Sequence, residues 1–322
     1  MRYHLRNFIL KSKYIQNLIV KRIVTLPLLL LLISFGSFFL ANLSPSDPAE
    51  VTLRVNDIVP TKEAIEETRK ELGLDRPFLE QYMTWVSNIV LKGDFGFSYE
   101  SKKSVLKELL QATPITFYLT IFALGLIVFF SFFFGILCAV YENHWFDKTI
   151  RSLIFITTAT PSFWLGLLLI WFFSLKLNLL PSGGYDSIYS LILPAFTLAI
   201  TYISTFIRII RNSLIEIKDA PFIIYAKLRG LKKSKILKHQ IKNIIPPFIV
   251  ALNMSIPRLF AGTIIVENVF GLPGLGRICI QAIFNRDFPI IQTYILFMAI
   301  LFIVFNLIAD LWIVIKDPRK RV

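Results

Sequence analysis

Few side chains in this sequence have types and spacing that could do chemistry, and those few point to recognition rather than bond-making. The sharpest is Arg258, a cation set inside the apolar run from Pro246 to Val266. At a helical rise of about 1.5 Å per residue it lies about 18 Å along from Pro246, where a guanidinium costs at least a few kcal/mol unless it meets water, an opposite charge or a solute. Such a cation suits an anionic or carboxylate-bearing partner. The structural alternatives are an ion pair with Glu267 or Asp310, or snorkelling along the helix. Asn253 and Ser255 stand beside Arg258 as further contacts on a polar path or as packing groups. Asn306 and Asp310, four apart in the last apolar run, share a helix face and either line that path or join helices by hydrogen bonds.

Bond-making constellations do not emerge. His4, His144 and His239 all fall outside the apolar runs, and Cys138 and Cys279 have neither zinc spacing nor a disulfide framework around them. Asp310 alone does not make a paired-aspartate site. The sequence contains no G-x-x-x-x-G-K-[ST] phosphate cradle, so ATP hydrolysis is not expected of this chain. The reading therefore assigns no catalytic residue and no metal ligand.

The elements that must position these residues follow from composition. With 322 residues, 55% of them apolar, and a mean hydropathy of +0.64, the chain reads as an integral membrane protein. A hydrocarbon layer of about 30 Å needs about 20 helical residues. Six runs meet that need, near Ile23 to Asn42, Ile115 to Val140, Ser152 to Leu175, Ser187 to Ile207, Pro246 to Val266 and Ile290 to Ile315. Their Phe, Leu and Ile show little strict alternation, so helices are the better reading than barrel strands. The fold class is all-α, with six transmembrane helices. The first run is read as an uncleaved anchor, because it is longer than a signal peptide's apolar core and lacks a clear small-residue cleavage site. Thr157, Thr158, Thr160 and Ser162 around Pro161 read as groups that satisfy backbone freed by the proline.

Orientation follows the lysines and arginines. Residues 1–22 carry Arg2, Arg6, Lys11, Lys13, Lys21 and Arg22 without an acid, the connection 208–245 is strongly basic, and the tail 316–322 holds Lys316, Arg319, Lys320 and Arg321. All three are expected on the cytoplasmic side of a bacterial plasma membrane. The net charge of +14 is thus mostly a topology signal, with some attraction to anionic membrane lipid. Stacking aromatics interleaved with the basic residues are lacking, which argues against nucleic acid. Residues 43–114 form an extracytoplasmic helical segment. Glu63 to Leu72 reads as a helix stopped by Gly73, a second helix starts at Asp75-Arg76-Pro77, and Gly93-Asp94-Phe95-Gly96 ends it. Its role is docking of an external partner or bracing of the bundle.

The basic connection holds a further motif. Pro221 to Arg229 predicts two to three helical turns in which Phe222, Ile223, Tyr225, Ala226 and Leu228 give an apolar surface, with Gly230 as a left-handed stop. A short apolar helix of this kind needs a protein groove or the membrane surface to cover it. Tyr225-Ala226-Lys227-Leu228-Arg229-Gly230, followed by Pro246, resembles the EAA loop of ABC importer permeases. Pro161-Ser162-Phe163-Trp164-Leu165-Gly166, the run Val266 to Arg277, Asp317-Pro318-Arg319 and Leu72-Gly73-Leu74-Asp75-Arg76-Pro77 extend the match over most of the chain. Together they are similar to the first permease subunit of dipeptide, oligopeptide and nickel importers. The loop departs from the family pattern where Phe222-Ile223-Ile224-Tyr225 replaces an acidic or small-residue opening.

That resemblance implies a type I ABC importer permease fold, with a five-helix core over residues 115–315 behind the anchor at 23–42. It also implies several partners: a second homologous permease, two ATP-binding cassette subunits that hold ATP and Mg, and an extracytoplasmic substrate-binding protein. In this frame Phe222, Tyr225, Ala226, Leu228, Arg229 and Gly230 form the ATPase-coupling loop, and no cofactor belongs to this chain. Runs such as Ile265-Val266-Glu267-Asn268 and Ala282 to Asp287 lean toward the nickel branch. The expected cargo is nickel, cobalt or a metal–chelator complex, with dipeptide or oligopeptide import as one alternative and an ion-coupled secondary transporter as a reading of another class.

Overall fold

A computed structural model describes residues 25–43 and 47–316, with side chains placed as far as Leu311. The leader 1–22 with His4, and the tail beyond Lys316, lie outside the described residues. Among the described residues the chain is helical, and its one strand-like feature is a single bridge between Phe97 and Ser104. Helix α1 covers Thr25–Asn42. It is followed by α2 (Pro48–Val55), α3 (Lys62–Glu71), α4 (Phe78–Ser87), α5 (Val105–Val140), α6 (Trp145–Ala159) and α7 (Ser162–Leu169). Then come α8 (Ile192–Glu216), α9 (Pro221–Leu228), α10 (Lys233–Val269), α11 (Leu275–Asn285) and α12 (Phe288–Lys316). Five helices are long and apolar enough to cross a membrane, and a sixth crossing exists if α6 and α7 count as one span.

That pair departs from the sequence expectation of a single third span from Ser152 to Leu175. The two helices are bent by 109° at the break between them. Pro161 is the cause: it has no N–H to give to the preceding turn, and it drives Thr160 out of helical geometry to φ −88°, ψ 128°. The neighbouring hydroxyls answer the break, with Thr158 Oγ1 donating to the Ile154 carbonyl at 2.7 Å and Thr160 Oγ1 to that of Ile156 at 2.8 Å. The fifth span also starts earlier than expected. Pro246 and Pro247 lie inside α10, as does Pro257. Because α8 runs on to Glu216 and α10 begins at Lys233, the connection between them is shorter than 208–245.

The chain divides into two compact units. One runs up to Thr116 and takes in Pro273–Val304; the other comprises Phe117–Leu272 and resumes at Phe305. In the first unit α1 and α4 meet through an aromatic cluster, where Tyr82 packs edge-on to Phe35 at 5.2 Å and Phe38 lies 5.8 Å from Trp85. The Tyr82 hydroxyl shares a hydrogen bond with Ser34 at 2.9 Å, which satisfies both groups inside that contact. Asp47 caps α2, Thr61 caps α3, and Gly73 takes φ +67° beyond α3 as the sequence predicts. Pro77 stands as the cap residue of α4 rather than within its first turn. The buried Asp287 carboxylate receives the Ser98 hydroxyl and so ties the start of α12 to the loop before α5.

In the second unit α8 is the central helix, with twelve of its side chains buried, and α6, α7 and α10 pack around it. Gly135 lets α5 approach: a Cβ there would lie 2.8 Å from Ile210 Cγ2, so only a hydrogen permits this crossing.

Candidate coupling loop and membrane-embedded polar residues

The connection from α8 to α10 is built turn by turn. After α8 the backbone tightens over Ile217–Asp219, and Ala220 then takes an extended conformation (φ −63°, ψ 145°) of the kind a following proline imposes. Pro221 occupies the first turn of α9, where its missing N–H costs nothing. The helix ends in a paired hydrogen-bond lock: Gly230 N donates to the Lys227 carbonyl at 2.9 Å and Leu231 N to that of Ala226 at 3.2 Å. Gly230 sits at φ +69°, the left-handed geometry that this closure needs.

The apolar residues of α9 divide into two sets. Ile223 and Ala226 are buried, on the side where α9 meets α10 and the turn before it. Phe222, Tyr225 and Leu228 point the other way, with 43%, 62% and 81% of their surfaces exposed. The sequence placed all five on one apolar surface; the structure uses Ile223 and Ala226 to seat the helix and leaves the other three uncovered. Arg229 lies 5.7 Å from the Tyr225 ring centroid, and Lys227 Nζ donates to the Lys218 carbonyl at 3.2 Å. These contacts brace the basic end of the helix.

A charge pair upstream went unread in the sequence. Arg211 of α8 grips Asp147 of α6 in a two-pronged contact, Nε to Oδ1 at 2.6 Å and Nη2 to Oδ2 at 2.7 Å. The Asp147 side chain is fully buried and also accepts the Asn143 N–H at 3.1 Å. Such a bidentate pair fixes orientation as well as distance. Lys218 adds a bond to Glu142 at 2.9 Å, so the end of α8 that leads into α9 is held at two places. Sixty-four residues separate Asp147 from Arg211, and no local pattern in one sequence connects them.

Arg258 lies on α10 with an exposed side chain and, among the described residues, no acid within ion-pairing distance. The expected alternatives of a pair with Glu267 or Asp310 are therefore not what is found. It shares an exposed stripe with Met254, Ala261 and Ile265 along one face of α10. Ser255 is half-buried, and its hydroxyl is spent on the Ala251 carbonyl at 3.0 Å. Asn253 is half-buried with its amide unbonded among the described residues. Asn306 and Asp310 are both half-buried on α12. No cluster of His, Cys, Asp or Glu capable of holding a metal occurs among the described residues.

The described residues thus form a helical multi-span bundle with an uncovered apolar helix on a basic loop. Comparison with known proteins places it further. Residues 131–322 match the family described as "Binding-protein-dependent transport system inner membrane component", and residues 15–120 match the N-terminal component of such systems. The metal-staphylopine import system permease protein CntB of Staphylococcus aureus is 34% identical over 94% of this chain and 97% of its own length. The glutathione transport system permease protein GsiC of Escherichia coli is 33% identical over 95% of this chain and 99% of its own. Among solved structures, the inward-facing MetNI methionine ABC transporter matches with a TM-score of 0.56 at 17% identity, covering 67% of this chain and 97% of that one. An amino acid ABC transporter with histidines matches at 0.52 and 20%, covering 64% and 92%. The chain belongs to the inner membrane component family of binding-protein-dependent transport systems: it is a multi-pass permease subunit of an ABC importer. It is non-catalytic, and ATP hydrolysis and substrate capture fall to partner subunits. The secondary-transporter reading is thereby set aside.

Proposed function

We propose that this permease forms half of an inward passage for a metal held in a carboxylate-bearing chelator, nickel and cobalt being the metals the sequence leans toward. The observation that carries the reading is Arg258, a charge kept within an apolar span without an acid to neutralise it. A chelate's free carboxylates supply the missing opposite charge, and the chelator supplies the metal ligands that do not cluster among the described residues. The similarity to a metal-staphylopine permease supports the same cargo class. A short peptide offers a carboxylate too, and the similarity to a glutathione permease keeps that second reading in play.

The assembly we propose pairs this chain with a homologous second permease, two ATPases carrying ATP and Mg, and a binding protein on the outer side, all set in membrane lipid. Both termini and the α9 loop face the cytoplasm. Phe222, Tyr225, Leu228 and Arg229 enter a groove on an ATPase, while Ala226 and Gly230 hold the helix in shape. ATP-driven closure of the ATPases then moves the loops, and the loop grips must differ in free energy between the two states for any shift to follow. Asn253, Ser255, Asn306 and Asp310 flank the passage near Arg258. Uptake of the chelated metal by the reconstituted complex tests the cargo reading. Arg258→Ala is expected to reduce uptake strongly while complex assembly survives; unchanged uptake and selectivity would remove the proposed role.

A further inference from the structure

Away from the proposed passage and the coupling loop, the second compact unit contains a cavity of about 850 Å³ between α6, α8 and the loop before α6. The register of the two helices sets its charges. Asp147 pairs with Arg211, and Thr157 Oγ1 meets Ser204 Oγ at 2.7 Å, so α6 and α8 run antiparallel through this stretch. Arg151 stands four residues beyond Asp147 and Arg208 three residues before Arg211. Both therefore occupy the turn next to that clamp, on facing helices. Both line the cavity and are exposed, and neither makes an ion pair or a hydrogen bond among the described residues. Two unneutralised guanidinium groups on facing turns repel each other, and an anion between them reverses the sign of that interaction. The nearby acids are committed or distant. Asp147 spends both oxygens on Arg211, and Glu142 accepts from Lys218 at 2.9 Å. Glu216 lies eight residues past Arg208, about 12 Å along α8 on the side that leads to α9.

We propose that this cavity binds the phosphate of an anionic phospholipid headgroup through Arg151 and Arg208. Arginine suits the task, since its planar fork donates two parallel hydrogen bonds to phosphate oxygens. Basic pockets between membrane-crossing helices recur as sites for such headgroups. The apolar part of the lining favours a lipid over a dissolved phosphate. Ile154 and Phe155 lie one turn past Arg151, away from the loop, and Phe155 has 76% of its surface exposed. Leu153 and Ile156 are uncovered beside them. Helix α6 together with α7 passes as one bent span and α8 as part of another, so these side chains stand where acyl chains run. A phosphate held by the two arginines thus lays its acyl chain along Phe155. Glu216, at the opposite end of the cavity, confines the bound negative charge to the arginine end. The lipid so held bridges α6 and α8 one turn from the Asp147–Arg211 clamp. This inference is separate from the proposed cargo and from the ATPase contact.

In the test, the full-length chain is freed of lipid in dodecyl maltoside and titrated with dioleoylphosphatidylglycerol, dioleoylphosphatidylcholine or inorganic phosphate, with bound molecules counted by native mass spectrometry. Phosphatidylglycerol is expected to bind about tenfold more tightly than phosphatidylcholine, and inorganic phosphate at the same concentration should not displace it. Arg151→Gln and Arg208→Gln should each weaken phosphatidylglycerol about fivefold, and the double variant should lose the preference. Lys235→Gln, which removes an exposed charge outside the cavity, should leave binding as it is. The lipid comparison is made on the unaltered chain and so does not depend on any variant folding. The inference is overturned by equal retention of the two lipids, by arginine variants that bind like the parent, by an equal loss in Lys235→Gln, or by phosphate that competes at the lipid's own concentration. A failure here leaves the cargo and coupling-loop readings intact, because both arginines lie outside those sites.

Discussion

The double substitution Tyr225→Ala, Leu228→Ala separates a docking surface from a structural helix. Leu228 has 81% of its surface exposed and Tyr225 has 62%, so neither contributes much to the fold of this chain. Surface changes of this kind usually alter stability by no more than about 0.5 kcal/mol. If α9 enters a groove on an ATPase, the same surfaces become buried there, and a large apolar side chain fully buried contributes about 1.5–3 kcal/mol. Scaled by the exposure still to be lost, the pair contributes roughly 3 kcal/mol, which is about a hundredfold in association constant. The assay is association of purified permease complex with the ATPase subunits, measured beside thermal unfolding of the permease and ATP-driven uptake. The expected result is unfolding unchanged, association about a hundredfold weaker and uptake lost. Undiminished association and uptake would refute the reasoning, because those side chains would then be buried by nothing that matters to transport. Ala226→Asp is a poorer test, since Ala226 is itself buried at 9% exposure and a carboxylate there unseats α9 from its own chain.

Three further outcomes follow from packing. Arg211→Ala strands a fully buried Asp147 carboxylate and should cost about 3–5 kcal/mol; thermal unfolding in detergent should show it, and Asp147→Asn combined with Arg211→Gln should recover much of the loss. Gly135→Ala places a Cβ 2.8 Å from Ile210 Cγ2 and should destabilise by about 1–3 kcal/mol, read as an earlier thermal unfolding in detergent. Cys279 is buried, and that burial pushes its thiol up to about 11 from 9.0. At neutral pH its thiolate fraction is therefore about a hundredfold below that of an ordinary cysteine. Maleimide labelling at Cys279 should be negligible at pH 7 in the folded chain, rise with pH, and become rapid on unfolding.

Much of the fold was legible because hydrophobic length is a coarse signal that membrane helices cannot disguise. The anchor, the long α5, and the helix stops at Gly73 and Gly230 could all be read from composition and glycine position. What escaped were features set by contacts between distant residues. Pro161 was visible, but the same residue type bends α6 from α7 by 109° and yet is absorbed within α10 at Pro246, Pro247 and Pro257. The difference lies in tertiary surroundings, which a single sequence does not carry. The apolar face of α9 was recognised as a whole, whereas its division between Ile223 and Ala226 inward and Tyr225 and Leu228 outward depends on where α10 passes. The Asp147–Arg211 pair was invisible for the same reason, and Arg258 stood out because an unexpected charge in an apolar run is conspicuous without any knowledge of its neighbours.

These placements bear on how a push at α9 could reach Arg258. Helix α8 is the rigid neighbour: it is the central buried helix of its unit, clamped to α6 by Asp147 and held close to α5 at Gly135. Helix α10 is the compliant one. Its 37 residues extend about 55 Å, and three internal prolines each remove one rung of its hydrogen-bond ladder. The rung lost at Pro257 is the one that would have used the Asn253 carbonyl, directly beside Arg258. A displacement entering α10 at Lys233 meets its weak points at the internal prolines, and the last of them adjoins the exposed Arg258. Helix α9 packs against α10, the helix that carries Arg258, so on the proposed reading a displacement of the loop enters α10, whose backbone is least constrained at its prolines.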